Sequence, residues 1–118
     1  MPVDINDSLY RRSYGPPGAI KFVNPDGTPT SRSFKLRQQD EGRLSVEIKS
    51  LTTPEKSIVD ASKYMLFEIK VESVLRLNLT AEPDPIENNP AHACILGMDI
   101  EDDIMPKLLA INSIRVLI

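Results

Sequence analysis

Three places in this sequence hold side chains able to do chemistry. Arg11-Arg12 and the Ser31-Arg32-Ser33 run set guanidinium groups beside a serine-rich turn. Guanidinium forks clamp phosphate or carboxylate through parallel hydrogen bonds, which makes Arg11, Arg12, Ser31 and Arg32 candidates for binding an anionic ligand. The plainer reading sends the adjacent arginines to opposite faces, one solvated and one paired with an acid of the second half, because most surface charge is solvated or structural.

The second place is His92, the one histidine, with Cys94, the one cysteine, two residues on. Any imidazole chemistry must use His92, so it joins the ligand-binding candidates. It follows a proline-rich connector and enters an apolar run, where a ring that both donates and accepts can pin the connector to the sheet. In a strand His92 and Cys94 share a face at roughly 7 Å, too far for direct proton transfer. The expectation is a His92 at least half buried, hydrogen-bonded to backbone or to the first half, and a buried, inert Cys94 thiol.

The third place is the acidic run Asp99, Glu101, Asp102 and Asp103. Such oxygens suit hard cations, but the glycine and distal glutamate of a calcium loop are missing, and carboxylates at a helix start are expected from the dipole alone. Glu82, Asp84 and Glu87 read as solvated connector charges. With one His and one Cys, a zinc site would need carboxylates for most of its ligands, so no metal site is expected. No phosphate loop, dinucleotide fingerprint or Gly-x-Ser-x-Gly elbow is present, so neither a cofactor nor a catalytic residue is assigned.

At 118 residues the chain suits one domain. With no Trp and only 5% aromatic residues, its core must be mainly aliphatic. Residues 1–50 hold 8 Lys+Arg and 6 Asp+Glu, against 6 and 11 in residues 51–118. The first half is mildly basic, but a pI of about 5.1 lies far from that of a dedicated nucleic-acid binder. A lone cysteine forms no internal disulfide, the start has no apolar signal-peptide core, and no stretch approaches the roughly 20 apolar residues of a membrane span. The expected compartment is the cytoplasm.

The elements must place these groups. Residues 1–8 are polar and expected to fray. Leu9–Tyr14 suits a short strand or turn. Gly15-Pro16-Pro17-Gly18 and Pro25-Asp26-Gly27-Thr28-Pro29 are turn signals around a short strand at Ala19–Val23. Ser33–Leu36 alternates, with a hairpin loop at Gln38–Gly42 joining it to the clearest strand, in which Leu44, Val46 and Ile48 alternate with Ser45, Glu47 and Lys49. Thr52-Thr53-Pro54-Glu55 starts a helix expected to end near Lys63, with Ile58, Val59 and Ala61 on its apolar face. Tyr64–Lys70 reads as a strand. Val71–Leu79 fits helix or strand; a short helix ended by a left-handed Asn78 is preferred. Glu82-Pro83-Asp84-Pro85 suits neither helix interior nor central strand and becomes an extended connector. A short strand at His92–Met98 and a final helix at Asp103–Ser113, with Ile104, Leu108 and Ile111 as its stripe, complete a single α+β domain. It has short, mainly antiparallel strands with two or three helices packed on one side.

Leu9-Tyr10-Arg11-Arg12, Pro29-Thr30-Ser31-Arg32-Ser33-Phe34, Leu44-Ser45-Val46, and Asp84-Pro85 followed by Asn89-Pro90-Ala91-His92-Ala93 resemble a group of small uncharacterised bacterial proteins across most of the chain. The resemblance implies a bacterial setting, supports helix at Val71–Leu77, and carries no activity. Three functions follow as expectations. The first is a small cytoplasmic binding or accessory protein without catalysis, meeting a protein partner or a second copy rather than a membrane. The second is an enzyme with Arg11, Ser31 and His92 in one cleft. That set resembles small NAD-consuming transferase domains, which implies an arginine on phosphate and a serine at the nicotinamide end, but the catalytic glutamate of that pattern is missing. The third is weak nucleic-acid binding through the basic first half.

Overall fold

The computed structural model describes residues 2–14 and 21–118. The period-two run at Leu44–Ile48 forms strand β2, with Leu44, Val46 and Ile48 buried. The other strands are β1 (Ser8–Tyr14), β3 (Tyr64–Lys70), β4 (Thr80–Pro83), β5 (His92–Leu96) and β6 (Ser113–Val116). They form one antiparallel sheet in the order β4-β5-β2-β1-β3-β6. The chain is thus an α+β domain built around a strand-rich sheet.

One sheet face carries Leu9, Leu44, Val46, Phe67, Ile69, Ala93 and Ile95, which join Phe34, Leu36, Val71, Val74 and Leu109 in the main core. Helices α2 (Val71–Arg76) and α3 (Met105–Ile111) cover this face. Helix α1 (Pro54–Ile58) lies on the other face, where Ile58 meets Tyr10 and Leu66 in a smaller cluster. The core is aliphatic with Phe34 and Phe67 its only buried Phe rings. Among the described residues no helix is long and apolar enough to cross a membrane.

Several elements differ from expectation. Residues 2–7 do not stand free: Val3 is buried and donates its N–H to the Ala81 carbonyl at 3.0 Å, while Asp7 accepts from Ser50 and Val71. Ser33–Leu36 is not a strand. Ser31–Phe34 is a 3₁₀ turn that buries Ser33 and Phe34, and Gln38–Asp40 is another, so no hairpin joins them to β2. The first proline-rich cluster and residues 19–20 of the next expected strand lie outside the described residues; Val23 makes a single bridge to Pro29.

Helix α1 starts as expected, with Thr53 Oγ1 accepting the Lys56 N–H at 3.3 Å, but it stops at Ile58. Val59 has φ 68° and is 67% exposed, so neither it nor the exposed Ala61 gives the helix an apolar face. Helix α2 ends as expected, with Asn78 at φ 62° and the Leu79 N–H returning to the Val74 carbonyl. β4 is an outer strand, the one place where Pro83 is tolerated in a ladder. After β5 the chain turns at Gly97, φ 110°, where a Cβ would stand 3.2 Å from the Leu79 side chain.

Helix α3 starts at Met105, where Asp102 Oδ1 accepts the Ile104 and Met105 N–H groups. Its buried face is Pro106, Leu109 and Ala110, whereas Ile104 and Ile111 are both 68% exposed. The expected stripe is therefore rotated, and the end expected at Ser113 belongs to β6, which pairs with β3.

Candidate functional site

β1 runs beside β3 over its whole length, from Ser8 opposite Lys70 to Tyr14 opposite Tyr64. Its pairing with β2 covers only Leu9 opposite Ile48 and Tyr10 opposite Glu47. Past Tyr10 the guanidinium of Arg11 serves where the ladder stops: Nε donates to the Ser33 carbonyl at 2.9 Å and Nη1 to the Ser45 carbonyl at 2.8 Å. Ser33 Oγ donates to the Phe22 carbonyl at 2.6 Å. With that proton committed, Ser13 Oγ is the donor in its 2.8 Å bond to Ser33 Oγ. These bonds lash the loop carrying Phe22, Ser33 and Arg37 to the end of β1. Among the described residues no buried side-chain nitrogen or oxygen lacks a partner.

Strand alternation sends Arg12 to the opposite side from Arg11. Its Nη1 donates to the Ser57 carbonyl at 3.0 Å, and its guanidinium lies 5.3 Å from the centre of the Tyr64 ring, within cation–π range. Tyr14 stands 5.9 Å from Tyr64 and 5.1 Å from Phe22, centre to centre. Between the strand end and the loop lies a cleft of about 530 Å³, lined by Arg11, Arg12, Ser13, Tyr14, Phe22, Arg32, Ser33, Lys35, Leu36, Arg37 and Tyr64. Five cationic side chains and three aromatic rings converge there, with no carboxylate, histidine or thiol among the described lining residues.

The five cations differ in their commitments. Lys35 pairs with Asp103 at 2.7 Å and donates to the Asp102 carbonyl; Arg37 pairs with Asp40 at 3.1 Å. The Arg32 guanidinium has no hydrogen bond or ion pair among the described residues and is exposed. Burial lowers the Arg11 pKa to about 10, against the pull of Asp40, so Arg11 is a cation at neutral pH. Burial pushes the Asp40 carboxyl up, but the Arg37 N–H and guanidinium, with the charge of Arg11, hold it below the usual carboxylate range.

Of the residues singled out in the sequence, the cleft takes Arg11, Arg12 and Arg32. Ser31 is exposed at the start of its turn and does not line it; Ser13 and Ser33 are the serines that do. The expected split of Arg11 and Arg12 between faces is present, but among the described residues neither pairs with an acid of the second half, since both donate to backbone carbonyls, and both reach the cleft. Tyr14, Phe22 and Tyr64 are scattered in sequence and carried no signal of convergence. Lys35 and Arg37 signalled only through the basic charge of the first half.

His92 lies elsewhere. It sits opposite Glu47 on β2, and Glu47 sits opposite Tyr10 on β1, so His92 is two strands away and on the face opposite Arg11. Arg11, Ser31 and His92 therefore do not meet, and the cleft lacks the set that the transferase alternative needs. The His92 side chain is 17% exposed and its Nδ1–H donates to the Asp84 carbonyl at 2.8 Å, holding the connector to the sheet.

Two expectations about this second cluster are corrected. Asp84 is not a free connector charge: its Oδ2 lies 3.4 Å from His92 Nδ1 and accepts from Cys94 Sγ at 3.5 Å. Nor are His92 and Cys94 held about 7 Å apart: one ligand atom from each of Asp84, His92 and Cys94 falls within 4.8 Å of the others. The turn from Ile86 to Asn89 and the bond from the Asp84 N–H to the His92 carbonyl fold the connector back over β5. Burial, then the bond and charge of Asp84, push the Cys94 thiol up to about 11, so it is no nucleophile at neutral pH. No family model, curated protein or solved structure matches the chain.

Proposed function

We propose that this is a non-catalytic binding protein of the bacterial cytoplasm whose cleft takes a nucleoside phosphate. One observation carries the reading: five cations and three aromatic rings line a single cleft with no opposing carboxylate among its described residues. Arg32 and the uncommitted donors of Arg12 and Arg37 supply the charge-assisted bonds that phosphate requires. Tyr14, Phe22 and Tyr64 supply faces for a planar base, and such stacking contributes about 1–3 kcal/mol. The volume of about 530 Å³ lies in the range of small-molecule sites. The lining offers no ready general base, and both buried serine hydroxyls are engaged with each other or with Phe22, which favours binding over catalysis. The resemblance of the arginine and Asn-Pro-Ala-His segments to small bacterial proteins supports the setting, and the unpaired Cys94 supports a reducing compartment.

Calorimetry with adenosine 5′-monophosphate, adenosine and inorganic phosphate tests this. The nucleotide should bind more tightly than either fragment, and Arg32→Ala should weaken it about tenfold, the loss expected for a charged hydrogen bond. Nucleotide binding no tighter than phosphate would refute the reading. Tight, salt-sensitive binding of a single-stranded oligonucleotide without mononucleotide binding would replace it with the nucleic-acid alternative.

A further inference from the structure

We propose that Asp84, His92 and Cys94 form a zinc site with three protein ligands and an open fourth position. The three residues come from the connector and β5, and their ligand atoms lie within 4.8 Å of one another. Two of the three separations already match a coordination tetrahedron. Zinc bonds of roughly 2.0–2.1 Å to oxygen and nitrogen and roughly 2.3 Å to sulfur put neighbouring ligand atoms about 3.4 Å apart for O and N, and about 3.5 Å for O and S. Asp84 Oδ2 lies 3.4 Å from His92 Nδ1 and 3.5 Å from Cys94 Sγ. The remaining edge, nitrogen to sulfur, lies within 4.8 Å and would have to shorten on metal binding.

The donor types fit zinc as well. Imidazole, thiolate and carboxylate together suit a borderline-soft divalent ion, not calcium or magnesium, which take oxygen alone. The cluster's field also favours a cation. Glu82 stands opposite Cys94 in the β4–β5 ladder and adds negative charge, while Arg43 reaches Asp84 only at 4.0 Å. His92 and Cys94 are mostly buried, but the Asp84 side chain is 41% exposed, which would leave the fourth position to a solvent ligand. On binding, the thiol proton leaves to solvent and the Nδ1 proton is exchanged for one on Nε2, so the ring exchanges its bond to the Asp84 carbonyl for the metal.

The site is independent of the cleft, from which β2 separates it, so each can fail alone. Titration of the intact chain with cobalt(II), then zinc(II), tests it. One cobalt should bind with a thiolate charge-transfer band in the near ultraviolet and the intense visible bands of tetrahedral coordination, and one zinc should abolish both. Cys94→Ser should remove the charge-transfer band. Asp84→Asn, half-exposed and still able to accept from Cys94 through its amide oxygen, should weaken zinc at least tenfold while the metal-free chain still melts cooperatively. A wild-type spectrum equal to that of aqueous cobalt would overturn the proposal. So would a thiolate band retained at equal affinity in both Asp84→Asn and His92→Ala.

Discussion

Arg11 does two things at once: it closes the gap where β1 and β2 part, and it puts a cation into the cleft. Its two bonds run to backbone carbonyls of separate segments, Ser33 and Ser45, a geometry that a planar fork meets and a single ammonium does not. Arg11→Lys should therefore lower stability by about 1–3 kcal/mol, the range for losing a charged hydrogen bond and stranding its acceptor, as read by denaturant unfolding. An unchanged midpoint would show that the two carbonyls have other partners. The arginines were legible in the sequence because adjacent guanidinium groups and a serine-rich turn are visible in one dimension. Asp84 was not. Its role depends on the connector doubling back through the Ile86–Asn89 bridge, and three prolines in a row of polar residues show only that the segment is extended, not where it returns.

The helices show how local backbone geometry overrides an apolar pattern. Ile58, Val59 and Ala61 suit a longer α1, yet the Asp60 N–H donates to the Ile58 carbonyl at 2.7 Å across Val59 at φ 68° and ψ −55°. That is a three-residue γ-turn, strained for any L-residue and most of all for a β-branched one. Val59→Gly should relieve the strain and, after the extra freedom of glycine in the unfolded chain is subtracted, raise stability by on the order of 1 kcal/mol. A lower melting temperature would show that the exposed Val59 side chain makes a contact worth more than the strain. In α3 the start point is fixed by Asp102, whose Oδ1 accepts the Ile104 and Met105 N–H groups. The Met105 and Ile104 N–H groups hold the Asp102 carboxyl below the usual carboxylate range, with Lys35 adding to the pull. Because the folded pKa is depressed, this contribution is complete above the unfolded value near about 4 and is lost as pH falls through the lower, folded value. Thermal melts across that window should show a pH dependence that Asp102→Asn reduces; an equal slope in the variant would assign it to other carboxylates.

For the sheet as a unit, the alternation at Leu44–Ile48 and the run at Tyr64–Lys70 announced two strands, and the pairing of β1 with both neighbours made them a frame. β6 was hidden because the final helix was expected to reach Ser113 and nothing local marked Ser113–Val116 as a strand, which lies against β3. The same long-range assembly brings Tyr64, Tyr14 and Phe22 together with Arg12 and Arg32, which no local pattern could announce. β6 is also an outer strand that carries exposed Ile114 and is flanked by exposed Ile111, Leu117 and Ile118, and open edges of this kind accept added strands. Whether the convergence of cations and rings is a binding site is read most directly from amide and side-chain chemical shifts during titration with adenosine 5′-monophosphate. Saturable shifts should cluster at Arg11–Tyr14, Phe22, Arg32–Arg37 and Tyr64, leaving His92 and Cys94 unmoved. Shifts absent from these residues at millimolar nucleotide, or spread evenly over the charged surface without saturation, would contradict the assignment of the cleft.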